Sequence, residues 1–269
     1  MVSGFGQMMA LYSRLAKASI RARMQYRANF ILTVLMDGAL FAMDFLLMAA
    51  ILYRFDSIGG WSVFEIGLLY GTASMARGVY RTFGYELHRF ESYIAEGHFD
   101  TLMVRPWPTL LVLLTRNLDP GRLGVAAQGG LVLGISCHAL LKAGALSGGA
   151  MVYIWTLPLW GAAIFFAISL ATSASAFWLT RIADLQVFTM YAPMNAASYP
   201  LGIYPASLRA LLHTALPVAF AGYVPIRFLL GKGGSAFDLV TPVLVAMAAL
   251  YVSYWFWRLG ESRYQSTGS

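Results

Sequence analysis

Charge is scarce in this sequence. Only 12% of its 269 residues are Asp, Glu, Lys or Arg, too few for the surface of an ordinary soluble domain. Cysteine is scarcer: Cys137 stands alone, which excludes an intrachain disulfide and any thiolate metal framework. Lying in an apolar run, it reads as a small packing residue. Nucleotide-binding and catalytic patterns are missing too. The only Gly-Lys pair, Gly231 and Lys232 in "LLGKGGS", lacks a glycine five positions earlier and a Ser or Thr after the lysine, so it is not a phosphate-cradling P-loop. The histidines are scattered, and neither H-E-x-x-H nor a paired acidic motif occurs, so no catalytic residue and no metal site is expected. No cleavable secretory signal is visible, because the first apolar run follows a long basic stretch and has no small-residue cleavage site behind it.

What the chain has in abundance is apolar surface. Hydrophobic residues make up 59%, aromatic residues 14%, and mean hydropathy is +0.64; with apolar stretches of bilayer length, this indicates an all-α integral membrane protein. The formal net charge of +7 does not point to nucleic acid, since the basic residues bracket apolar segments instead of forming one tract. Residues 1–27 alternate apolar and basic positions at helical spacing, with Leu11, Leu15 and Ala18 on one side and Arg14, Lys17, Arg21 and Arg23 around the rest. That pattern suits an amphipathic helix lying on the membrane interface among anionic head groups. Six spans are expected, at about Ala28–Tyr53, Val63–Tyr85, Leu123–Leu141, Ala150–Leu179, Leu185–Ile203 and Phe237–Trp257, within a transmembrane domain over 28–258 and before a polar tail over 259–269.

Two segments break the pattern. Residues 86–122 form the longest stretch with little spanning character. Residues 204–232 carry Pro205, Pro217 and Pro225 together with Arg209, and divide into apolar pieces of about ten residues. Such pieces rise roughly 15 Å as helix, half the hydrocarbon thickness, and read as a re-entrant helical hairpin that must be covered by protein or line a cavity. Positive residues set the orientation: Arg14, Lys17, Arg21, Arg23, Arg27, Arg89, Arg105, Arg116, Arg122, Arg181, Arg258 and Arg263 fall on one side, against Arg54, Lys142, Arg209, Arg227 and Lys232 on the other. The richer side is the cytoplasm, and an even number of spans places both termini there.

Five segments in order, "QYRANFILTVLMD", "IGGWSVFEIGLLYG", "IAEGHFDTLMVRP", "YPLGIYPASLRALLHTALPVAFAGYVP" and "WRLGESRYQSTGS", resemble the short permeases of the ABC-transporter type-2 family across nearly the whole chain. The resemblance implies an exporter-type membrane subunit of the bacterial cytoplasmic (inner) membrane, with a cytoplasmic coupling helix between spans two and three. It implies that ATP and Mg are bound by cytosolic P-loop nucleotide-binding subunits, with no cofactor on this chain, and that a second permease, identical or related, completes the assembly among membrane lipids. Coupling contacts then fall on Glu96, Gly97, His98, Phe99, Asp100 and Arg105. Residues 85–95 offer an amphipathic helix, Gly97 a turn, and Pro106 and Pro108 a stiff return to the membrane. Asp100 and Arg105 either dock on the ATPase or pair with each other and with head groups.

Ionisable residues inside spans cost on the order of 2.5–3.5 kcal/mol each and need partners or water. Asp37 and Asp44 lie in span one, Arg77 and Arg81 in span two. Asp37 and Arg77 fall at similar depth, roughly 13 Å in by helical rise, and are expected to pair, either as a lock between helices or as part of the translocation path. Asp44 has no evident partner and suits a polar cavity. Span three carries Gly124, Ala126, Gly130 and Gly134, with a G-x-x-x-G at Gly130 and Gly134, small residues expected to bring helices close, within the bundle in preference to a dimer seam. Two rival functions are weighed: a stand-alone secondary transporter or channel, which would be expected to show paired half-repeats not found here, and a membrane-embedded lipid-modifying enzyme, which lacks the residue cluster it would need.

Overall fold

A computed structural model describes residues 27–55, 57–179 and 181–265, without the side chains of residues 27, 29, 30, 37, 44, 48, 49 and 51–55. Apart from Arg27, the expected interface helix over 1–27 lies outside the described residues. All regular structure among them is helical, save an isolated bridge between Ile58 and Trp61 that closes the first turn.

The long helix α1, Arg27–Phe55, precedes α2, Val63–Gly84. The turn between them uses Gly59 and Gly60 at φ 58° and 79°, backbone that residues with a Cβ rarely adopt. Ser62 starts α2 by a capping box: its backbone N–H donates to Glu65 Oε2 at 2.7 Å, and its hydroxyl accepts from Glu65 N at 3.4 Å, satisfying two helix-end donors reciprocally. A loop over 85–122 then carries three short helices, α3 (Phe90–Ala95), α4 (Asp100–Met103) and α5 (Thr109–Thr115). The helix expected over 85–95 is a tight 3-10 turn to Arg89 before α3 begins.

Helix α6, Leu123–Lys142, is followed by α7, Gly148–Ile154, and α8, Leu157–Ala174. Pro158 at the start of α8 lacks the N–H that would carry the ladder across Trp155 and Thr156, so the fourth apolar stretch is stepped. The fifth is shorter than expected: α9 (Ala183–Gln186), a widened π turn (Val187–Tyr191) and α10 (Ala192–Ala196) run together as one rod that stops well short of Ile203, ahead of Pro200. At roughly 1.5 Å per residue it is about 21 Å long, less than the hydrocarbon thickness. Two short helices, α11 (Ala206–His213) and α12 (Tyr223–Leu229), occupy the proline-rich segment, and α13, Thr241–Arg263, runs into the expected tail. Three helical stretches, Pro120–Lys142, Gly148–Phe177 and Thr241–Arg263, have the length and apolarity of a membrane crossing among the described residues. Helix α2 has the length but carries Glu65, Arg77 and Arg81.

The core is a seam between α2 and α6 with α8 behind it. A methyl group added to Gly71 would lie 2.7 Å from the Leu133 backbone nitrogen, and one on Gly78 2.7 Å from Ala126 Cβ; Gly129 stands 2.6 Å from Met75 N in the same sense. The backbones therefore touch through glycine, which maximises dispersion contact where lipid offers no hydrophobic drive. The small residues expected on α6 divide: Gly124 and Ala126 make close approaches, to the Val34 backbone and to Gly78, whereas Gly130 and Gly134 make only ordinary contacts, to Trp155 at 4.0 and 3.6 Å, because they sit on an adjacent face of α6. Gly78→Ala should accordingly lower stability by about 1–3 kcal/mol through overpacking, while Gly130→Ala stays within about 0.5 kcal/mol of the parent. Thermal unfolding of the two variants in detergent checks the ordering; equal melting temperatures would contradict it.

Candidate functional site

Two features stand at the same end of the bundle, a loop with an exposed tip and a polar cavity beside it. The loop is rooted by aromatic side chains. Phe90 and Phe99 are fully buried, as are Leu87, Leu102, Leu113 and Trp257. The Phe90 ring lies 4.6 Å from Trp257 and 5.1 Å from Phe177, and Phe99 stands edge-on to Phe90 at 5.5 Å and to Tyr264 at 4.9 Å. Edge-to-face geometry of this kind adds about 0.5–1.5 kcal/mol per pair beyond area burial. Gly260 makes room for it, since a side chain there would collide with the Phe177 ring.

Polar contacts tie the same loop to distant elements. Ser173 donates to the Leu87 carbonyl at 2.6 Å, Gln186 to the His88 carbonyl at 3.0 Å, and the Ile182 amide to Glu91 Oε2 at 3.0 Å. Thr109 donates to Glu261 Oε1 at 2.6 Å. Tyr93 donates to the buried Glu86 carboxylate at 2.7 Å.

Six residues were expected on a docking surface, and they divide. Gly97, at φ 69°, makes the turn between α3 and α4. Glu96 and His98 are exposed and lie 3.1 Å apart, a surface pair of little energetic weight. Arg105 is exposed and makes no ion pair among the described residues. Phe99 is interior, so it supports the tip and is not part of its surface. Asp100 is placed against Tyr264, whose phenol is pushed above its ordinary range by burial first and by this carboxylate second. No ion pair joins Asp100 to Arg105 among the described residues. Sequence reasoning missed Met103 and Val104, exposed at 45% and 84%; the signal was two apolar residues directly before the rigid "RPWP".

The cavity, of about 230 Å³, is lined by Phe41, Arg77, Arg81, His88, Tyr191, Met194 and Asn195. Arg77 is buried, donates to the Met194 carbonyl at 2.7 Å and stacks 5.2 Å over the Phe41 ring. The side chains of Asp37 and Asp44 lie outside the described residues, and with them the expected Asp37–Arg77 pair. Arg81 is half-buried. His88 is held between two phenols, Tyr80 at 2.8 Å from Nε2 and Tyr191 at 3.2 Å from Nδ1. Burial, then the positive charges of Arg81 and Arg122, lower its pKa to about 4, so the ring is neutral at physiological pH.

At the opposite end, α11 is exposed on most of its surface while α12 is buried. Pro205 and Arg209 are exposed, Pro217 is half-buried and Pro225 is buried. Lys232 binds Glu65 at 3.2 Å and the Gly60 carbonyl at 2.7 Å, tying this segment to the α1–α2 turn. An apolar cavity of about 420 Å³ opens beside His213, Pro217 and Phe220, against Ala167, Ala171 and Ala248. Among the described residues no group of His, Cys, Asp or Glu is arranged to hold a metal ion.

His88 gives a testable pH dependence. It faces Arg77, Arg81, Tyr191 and Tyr80 in and beside the cavity and Arg122 and Tyr85 from the loop. Between about pH 4 and 6.5 the unfolded chain binds this proton and the folded one does not, so stability rises with pH through that window and is lost as pH falls through it. NMR titration should place the His88 midpoint near pH 4, and His88→Asn should lack the slope; a midpoint near 6.5 would contradict the burial argument.

No curated protein matches the sequence. The family described as "ABC-2 family transporter protein" matches residues 39–268, a range containing the glycine seam, the rooted loop, the cavity and the proline-rich segment. With so much of its length matched, the chain belongs to the ABC-2 family of membrane transporter proteins.

Proposed function

We propose that this chain is the membrane-spanning permease subunit of an ATP-binding cassette exporter, with ATP and Mg held by a separate cytosolic P-loop subunit. The observation that carries the reading is the tip at Met103, Val104 and Arg105: apolar and cationic, exposed, and mounted on a buried aromatic base that joins α3, α8 and α13. A lever of this kind passes a push at its tip to the helices without deforming. It serves a chain in which no nucleotide-binding pattern occurs. Six crossings follow if α1, α2, α6, α7 with α8, the short α9–α10 rod and α13 all span, and α11 and α12 then form the re-entrant hairpin. Both termini lie in the cytoplasm of a bacterial inner-membrane protein, beside a second permease of the same or related sequence. Arg77 and Arg81 face the translocation path from α2, with Asp37 and Asp44 assigned to it from α1.

The test is reconstitution. With its P-loop subunit in proteoliposomes, the chain should support ATP-dependent transport. A double variant, Val104→Glu with Arg105→Glu, should cut transport and its stimulation of ATP hydrolysis at least tenfold, leaving the melting temperature unchanged because neither side chain is buried. Full coupling in that variant, or co-purification of no ATPase with the parent chain, would contradict the proposal.

A further inference from the structure

The cavity beside the loop is unusual in what lines it. Among the described residues its polar side chains are Arg77, Arg81, His88, Tyr191 and Asn195, and none of these is a carboxylate. Arg77 already has the Met194 carbonyl and the Phe41 ring. Arg81 differs: half-buried, it makes no ion pair with a described residue. A guanidinium partly removed from water is costly without an acceptor.

The neutral neighbours Tyr80, His88, Tyr191 and Asn195 carry no charge to balance it and can each donate a hydrogen bond. Tyr80 is almost fully buried, and its hydroxyl lies 2.8 Å from His88 Nε2, with the Tyr191 hydroxyl 3.2 Å from Nδ1. The neutral ring carries one proton, so one of these phenols donates to it and the other accepts from it. In the tautomer with the proton on Nδ1, Tyr191 accepts and keeps its own O–H to give elsewhere. The π turn over Val187–Tyr191 ends at this tyrosine, and Asn195 follows one turn later on the same lining; widened turns of this type often re-aim side chains at functional sites.

We propose that this cavity binds a phosphate group, with Arg81 as its ion partner and the Tyr191 hydroxyl and Asn195 amide as further donors. Guanidinium geometry matches phosphate oxygens in a bidentate manner. At about 230 Å³ the space exceeds that of several water molecules at roughly 30 Å³ each, so a phosphate bearing a substituent fits. Arg81 stands three residues before the end of α2, roughly 4.5 Å by helical rise, which sets the cavity at head-group depth if α2 spans. A free phosphate and a phosphorylated lipid head group share this chemistry. The site is a property of the chain alone and does not rest on the ATPase partnership.

The full-length protein in maltoside micelles, free of phosphate, provides the test. One arm titrates inorganic phosphate against chloride at constant ionic strength; a second adds phosphatidylglycerol, with diacylglycerol as its phosphate-free counterpart. A saturable rise in melting temperature is expected in at least one arm and not with diacylglycerol. A response to inorganic phosphate identifies a soluble source, and a response to phosphatidylglycerol alone identifies a head group. Arg81→Gln should weaken binding at least tenfold, Arg81→Lys, which keeps the charge but loses the bidentate fork, should weaken it less, and the exposed Lys142→Gln should change nothing. If Arg81→Gln does not fold, Asn195→Ala and Tyr191→Phe carry the same comparison, each expected to weaken binding. No saturable response in either arm, or equal binding by the parent and Arg81→Gln, overturns the proposal. Because no ATPase is present, either failure leaves the transport reading untouched.

Discussion

The aromatic cluster around Trp257 is the contact on which the loop end of this protein depends. Phe90 and Phe99 come from the loop, Phe177 from just beyond α8, and Trp257 and Tyr264 from α13 and its end. Each ring is large and has few rotatable bonds, so the cluster orders these elements at little entropic cost. Without it the short helices α3 and α4, of six and four residues, are far below the length at which a helix holds itself together in water. Their shape is borrowed from the interior they plug into.

Packing deeper in the bundle follows a different rule. Between α2 and α6 the fit comes from removing side chains, at Gly71, Gly78 and Gly129, so that backbone meets backbone. This close approach keeps α2 fixed in rotation and so keeps Arg77 and Arg81 directed toward one cavity. The two guanidinium groups are thus gathered in one cavity with Tyr191 and Asn195, where Arg77 is met by the Met194 carbonyl.

Much of the layout was legible in the sequence. The polar stretch over 86–122 and the proline-divided segment over 204–232 stood out because charge and proline interrupt apolar runs, and both are interruptions of the long helices in the structure. Other features were not legible. Phe99 sits in a polar neighbourhood, and its burial depends on Phe177 and Tyr264, far along the chain. The glycine seam escaped because G-x-x-x-G spacing marks a face of a helix without saying which face its neighbour takes. The cavity joins Arg81 to Tyr191 and Asn195 across more than a hundred residues, a proximity no local pattern encodes. The fifth apolar stretch read as a full span because hydropathy continued past Ala196, whereas the helix stops before Pro200, which restricts the residue ahead of it.

The central claim is mechanical: the exposed tip and the end of α13 move as one body because buried rings weld them. Spin labels at Thr101 and Ser262, both exposed, allow that claim to be read directly by pulsed electron spin resonance on the reconstituted transporter. Across nucleotide-free, ATP-bound and post-hydrolysis states, the distance distribution between them should keep one position and width. A distance that shifts by several ångströms with nucleotide would show that the loop swings independently of α13, and the account would fail.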